Sequence, residues 1–198
     1  MPISDRMTEG KRIVLARHGP VSVSLRARIA GHQFAAFINE LQASGLVSNA
    51  NPPLVSLSLA QTAAIVVTSD LFRSVQSAQL LAPGKLAISD SVFREAQLPA
   101  PCRSSVVLRR STWIVIARLI WLCRTWPGTE SRIAARGRAV DAARQLEQLV
   151  EQYGSVFLVG HGYFNHLIAH ELRDRGWDGP RHPSTQNWGT STYCHGDL

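Results

Sequence analysis

Two histidines mark this sequence. His18 and His161 each close a short apolar run and each precedes a glycine, in Ile13-Val14-Leu15-Ala16-Arg17-His18-Gly19 and Val156-Phe157-Leu158-Val159-Gly160-His161-Gly162. Runs of this kind, stopped by glycine, read as buried β-strands. In an open α/β sheet, ligands gather beyond the carboxyl ends of the strands. The two imidazoles, far apart in the chain, therefore arrive at one edge of a sheet, with Arg17 beside the first. A second arginine, Arg73, follows Thr68-Ser69-Asp70-Leu71-Phe72. Ser69 or Asp70 makes a good helix N-cap, and Leu71, Phe72, Val75, Ala78 and Leu81 follow at helical spacing. Arg73 then lies in a first helical turn, where free N–H groups and the helix dipole attract anions.

The elements around these residues alternate. Phe34, Phe37, Ile38 and Leu41 have helical spacing, Asn49 to Pro53 is a loop, and Ser58 to Ala63 a short helix. Ala64 to Thr68 reads as a second strand and Lys85 to Ser89 as a third, with Pro83-Gly84 stopping the helix between them. Phe93 to Pro101 is a loop holding Glu95. Trp113 to Cys123 reads as a buried helix ended by Trp126-Pro127-Gly128. Over residues 131–153, Ala139, Ala142, Ala143, Leu146, Leu149, Val150 and Tyr153 form one apolar stripe, with Gly154 as its stop. A helix from Phe164 to Arg175 ends at Gly176, and Trp188 to Tyr193 is a last strand. Strands and helices in alternation predict an α/β fold, a sheet covered on both faces.

The bulk composition allows this. The 198 residues suit one domain, and 45% hydrophobic residues is ordinary for a globular chain. No stretch approaches the roughly 18 apolar residues of a membrane span; the densest, Trp113 to Cys123, carries Arg118. The start is polar (Ser4, Asp5, Arg6) and lacks an apolar signal region. Cys102, Cys123 and Cys194 form neither a zinc pattern nor a disulfide framework, which favours a reducing compartment. The expected location is cytoplasmic. The charge of +7 is carried almost wholly by arginine and suits an anionic partner. The arginines are scattered, so a phosphorylated small molecule is expected and nucleic acid is not.

Arg17-His18-Gly19 after the first strand and His161-Gly162 after a late one resemble the histidine phosphatase superfamily, also called phosphoglycerate mutase-like. Ser69-Asp70-Leu71-Phe72-Arg73-Ser74-Val75-Gln76-Ser77-Ala78 is similar to the family's second arginine motif. Phe93-Arg94-Glu95-Ala96-Gln97-Leu98-Pro99 is similar to its acidic segment, and Glu130-Ser131 before the long helix also fits. The likeness runs from about residue 12 to residue 193. It implies a three-layer α/β/α sandwich on a mostly parallel sheet, as a single domain over 1–198 with a helical insertion around 97–130. It also implies a histidine acid phosphatase-type phosphoric monoester hydrolase, without cofactor or metal, and is compatible with a homodimer.

The resemblance assigns roles. His18 is the expected nucleophile, giving a phosphohistidine. It must be neutral to attack, and Arg17 and Arg73 disfavour its imidazolium. Arg17, Arg73 and His161 are expected to bind the phosphoryl oxygens, with the N–H of Gly162 as a further donor. Gly19 and Gly162 are expected to leave room for the ligand. Glu95 is expected to protonate the leaving oxygen and then to activate water; Glu130 and Glu40 are the other available carboxylates. Mutase-type members follow Arg-His-Gly with an acidic or amide residue, a hydroxyl residue and an Asn. Here Val21 stands for the hydroxyl residue and Ser24 for the Asn, which favours a phosphatase over a mutase. A protein that binds phosphoesters without turnover is the remaining alternative, and the intact Arg17, His18, Arg73 and His161 argue against it. His166 and His170 could share a helix face but read as surface residues. Arg118 either lines the substrate pocket or pairs with a buried carboxylate, pairing being the expectation.

Overall fold

Period-two alternation decides how the central strands are buried. Of β1 (Arg12–Arg17), Ile13 and Leu15 face one side while Val14 and Ala16 face the other. Val66 of β3 (Ile65–Thr68) is likewise opposed to Ile65 and Val67, and in β6 (Ser155–Gly160) Val156 and Leu158 are opposed to Phe157 and Val159. A strand apolar on both faces needs cover on both, and the helices supply it. The computed structural model describes residues 10–85, 87–100, 104–123 and 125–195. Ser4, Asp5, Arg6, Pro101 and Cys102 lie outside them.

The main sheet has the order β4 (Ala87–Ser89), β3, β6, β1, β7 (Thr190–Cys194). All neighbours are parallel except β7, which runs antiparallel to β1. On one face pack α5 (Arg132–Tyr153) and α6 (Gly162–Asp174). On the other lie α2 (Leu54–Thr62) and α3 (Phe72–Leu81). The buried stripe of α5 is Ala135, Ala139, Ala142, Ala143, Leu146 and Val150. Its small side chains bring the helix close to the sheet. Ser131 caps it, its hydroxyl accepting from the Ala134 N–H at 3.1 Å, and Gly154, at φ 84°, ends it. A smaller apolar cluster of Ile29, Phe34, Phe37, Trp113 and Ala117 joins α1 (Phe34–Ala43) to α4 (Arg110–Cys123). Beside it, β2 (Arg28–Ala30) pairs antiparallel with β5 (Val107–Arg109). No helix among the described residues is long and apolar enough to cross a membrane.

Several expectations need correction. α4 is not buried all round: Trp113, Ala117 and Trp121 face inward while Val115 and Leu119 are exposed. Tyr153 leaves the α5 stripe and is exposed, because the helix outruns the sheet at its last turn. The helix expected over 58–63 begins four residues earlier, at Leu54 directly after Pro53, in keeping with proline's fixed φ before a helix. The third strand is shorter than Lys85–Ser89: the Lys85 ammonium turns back onto the carbonyls of Gln61 and Ala63. The last strand starts at Thr190; Trp188, at φ 64°, leaves the extended conformation just before it.

Candidate active site

β3, β6 and β1 are adjacent and parallel, so their carboxyl ends lie side by side. Ser69 follows β3, His161 follows β6 and His18 follows β1. This places His161 between the other two. The His18 and His161 rings are 5.2 Å apart between centroids, and both residues are buried, at 6% and 1% exposure.

The tautomer of His18 follows from its partner. Its Nδ1 lies 2.7 Å from the Gly19 carbonyl oxygen, which can only accept. Nδ1 therefore carries the proton, and Nε2 holds a free lone pair. Burial, then the charges of Arg73 and Arg17, press the imidazole pKa down to about 3. The loop is fixed from three sides. The Gly19 N–H donates to Ser77 Oγ at 2.9 Å, Asn187 Nδ2 donates to the His18 carbonyl at 3.0 Å, and the His18 N–H donates to the Gly160 carbonyl at 3.1 Å. Gly19 is required by packing and not by ligand access: a Cβ there would overlap the Trp188 indole. Trp188 itself sits at φ 64°, a strained backbone for a bulky residue. Its N–H donates to the Arg17 carbonyl and its carbonyl accepts from Ser56 Oγ at 2.8 Å.

His161 Nε2 is 2.7 Å from Ser69 Oγ and 3.4 Å from Ser74 Oγ, while its Nδ1 is buried without a partner. Burial, with neighbouring cations, lowers its pKa far below the ordinary value. Here the N-cap expectation fails. The side chains of Ser69 and Asp70 do not cap α3, whose N-cap is Leu71. Ser69 turns to His161, and Asp70 takes Arg94 in a two-pronged ion pair at 2.5 and 2.6 Å.

Arg73 does lie in the first turn of α3. One guanidinium nitrogen donates to the Leu41 carbonyl at 3.0 Å. Burial pulls its pKa down to about 10, leaving it cationic at neutral pH. Arg17 donates to the Thr185 carbonyl, and its Nε is buried without a partner. Burial lowers its pKa as well, against the opposing charge of Glu95, which also acts on Arg73.

Glu95 arrives on the loop after the edge strand β4 and reaches the N-terminus of α6. Its Oε1 accepts from the Phe164 and Ala96 N–H groups, both at 2.9 Å, and its Oε2 from the Tyr163 N–H at 3.1 Å. Oε1 thus has both lone pairs engaged, and Oε2 keeps one. The other two carboxylates are committed elsewhere: Glu130 to Arg138, at 2.7 and 2.8 Å, and Glu40 to Arg110 at 2.9 Å. Arg118 forms no ion pair among the described residues, contrary to expectation. It donates to the Ala96 carbonyl at 2.9 Å and lies over the rings of Tyr163 and Trp121, at 4.4 and 4.8 Å. The charges of Glu95 and Glu130 reach it without an ion pair, and the aromatic faces cover the guanidinium plane. His166 stacks on His182, and His170 bonds Asp174 at 3.0 Å. Cys123 and Cys194 are free thiols.

Sequence alone gives Ser69 a capping role, places Ser77 in the second arginine motif and Trp188 at a strand start, and marks none of them, nor Asn187, as a support of the two histidines. Ser69 and Ser77 carry a local signal in the motif around Arg73. Asn187 and Trp188 come from a distant segment.

Solved structures share the architecture. A mycobacterial hydrolase superposes with a TM-score of 0.62 at 20% identity, over 92% of this chain and 88% of that one. A mycobacterial glucosyl-3-phosphoglycerate phosphatase bound to vanadate gives 0.61 at 21%, over 92% and 90%. The phosphoserine phosphatase of Entamoeba histolytica gives 0.57 at 16%, over 91% and 89%. No curated protein sequence matches the chain significantly. The family model of the histidine phosphatase superfamily, branch 1, matches residues 13–197, and the chain belongs to that superfamily.

Proposed function

We propose that this chain is a metal-independent phosphomonoesterase that works through phospho-His18. One observation carries the reading: His18 is buried with its proton on Nδ1 and its Nε2 lone pair free, beside Arg17, Arg73 and His161. A neutral imidazole among fixed cations is a nucleophile for an anionic phosphorus centre.

His18 Nε2 attacks phosphorus and the ester P–O bond breaks. Arg17 and Arg73 stabilise the charge spread over the phosphoryl oxygens. With the Ser69 hydroxyl donating to Nε2, His161 carries its proton on Nδ1 and offers it to a phosphoryl oxygen. Glu95, protonated at the unengaged lone pair of Oε2, gives that proton to the leaving oxygen. It then takes one from the water that cleaves the phosphohistidine, and phosphate leaves. The phosphatase names of several structural neighbours support the class of reaction. Val21 and Ser24 support hydrolysis over mutase chemistry. Val21 forms a backbone bridge with Leu46, and the Ser24 carbonyl accepts from Arg110 at 3.4 Å.

The test is His18→Ala assayed on p-nitrophenyl phosphate, with an alkaline quench of the wild type after a labelled phosphoester. Label on His18 and loss of turnover in the variant are expected. Undiminished turnover in the variant overturns the reading.

A further inference from the structure

The cavity next to the phosphoryl end, about 400 Å³, is lined by Arg73 and Glu95 and continues past them. Such a volume holds a small organic group. On one side its wall is apolar, built from Ile38 and Leu41 of α1 together with Leu71 and Leu98. Two further cations line it, Arg94 and Arg138. Each already holds a carboxylate of the chain. Arg94 is held two-pronged by Asp70, and Arg138 two-pronged by Glu130. Arg138 also donates to the Val92 and Arg94 carbonyls, at 2.7 and 2.8 Å, and lies 3.9 Å over the Phe164 ring. A two-pronged arginine–carboxylate pair satisfies both partners in one plane. A carboxylated substrate would compete with a carboxylate of the chain that already fits.

Arg118 does not line this cavity, and it lies instead against Tyr163 and Trp121. Glu95 forms no ion pair among the described residues, and its charge acts on Arg17, Arg73 and Arg118 around it. Beyond the phosphate, then, the cavity combines an apolar wall, two arginines paired with carboxylates of the chain, the uncharged Gln42, Ser91 and Gln97, and the Glu95 carboxyl group.

The geometry points to a substrate class: phosphate monoesters whose leaving alcohol or phenol is uncharged and partly apolar, in preference to esters that carry a carboxylate. The apolar part lies against Ile38, Leu41, Leu71 and Leu98, and the ester oxygen faces Glu95. This assignment rests on the phosphomonoesterase reading above and narrows it.

The experiment compares kcat/KM for phenyl phosphate and 4-carboxyphenyl phosphate on the full chain, with propyl phosphate against 3-phosphoglycerate as a second pair. A preference of at least about tenfold for the uncharged member of each pair is expected, equivalent to ~1.4 kcal/mol. Asp70→Asn releases Arg94, and Glu130→Gln releases Arg138. Either release should narrow the preference about threefold or more, by improving the carboxylated ester. Equal or inverted ratios in the wild type, in an enzyme whose His18 takes up label, overturn the cavity assignment alone. Ratios unchanged in both variants overturn the ion pairs as its cause. Absence of label on His18 overturns the phosphohistidine reading itself.

Discussion

The two ends of the candidate site are built differently. At the phosphoryl end, His18, His161 and Ser69 stand on three neighbouring strand ends, and each is held by short hydrogen bonds in buried surroundings. At the outer end, the wall comes from α1 and the loop around Glu95, and its cations face their own counter-ions. The first end is positively charged and rigid, and it suits one invariant group. The second sets an apolar wall from α1, Leu71 and Leu98 beside arginines that already hold carboxylates of the chain. The proposed function assigns chemistry to the first end and selectivity to the second, so substitutions at the two ends should fail in different ways.

The largest effect belongs to the phosphoryl end. His18→Ala should lower kcat by about 10⁴-fold or more and abolish labelling, since the nucleophile is lost while binding remains. Arg73→Ala should cost roughly 10²–10³-fold in kcat/KM, together with competitive inhibition by inorganic phosphate. A variant that keeps phosphate inhibition would move Arg73 out of the phosphate site. Glu95→Gln should cost about 10²–10³-fold for alkyl phosphates and much less for p-nitrophenyl phosphate, whose leaving group departs without a proton. A uniform loss across leaving groups would leave Glu95 as an anchor of α6 only.

At the outer end, Leu98→Ser should raise KM for phenyl phosphate by a few-fold, with kcat and phosphate inhibition nearly unaltered. A proportionate fall in kcat would erase the division between the two ends.

The buried histidines also predict a pH dependence. His18 is pressed from the ordinary 6.5 to about 3, and His161 well below the ordinary value. Between these limits the unfolded chain binds more protons than the native one, so stability falls as pH drops below about 6.5. The slope is ~1.4 kcal/mol per pH unit for each histidine. Chemical denaturation between pH 7 and pH 4 measures it. A stability independent of pH over that interval would show that these imidazoles are not held neutral.

Much of this was legible from residue order. Alternating apolar residues at 13–16 and 156–159 announce strands covered on both faces, and the α5 stripe announces its helix. The family motifs mark His18, Arg73, Glu95 and His161. Less legible were the partners of side chains. Ser69 and Asp70 look like helix caps because capping is local, yet a buried imidazole and an exposed guanidinium claim them instead. Arg118 looks like half of a buried ion pair, but it lies over the faces of Tyr163 and Trp121, and Glu95 and Glu130 act on it without forming one.

Local periodicity and short motifs suffice for most of the strands and helices and for the two histidines at one sheet edge, because backbone preference and burial act over a few neighbouring residues. The approach of His18 to His161, the packing demand on Gly19 from Trp188 and the pairing of Arg94 with Asp70 depend on segments apart in the chain. Hydrogen bonds and ion pairs choose among several candidate partners at short range, and folding alone brings those candidates within reach.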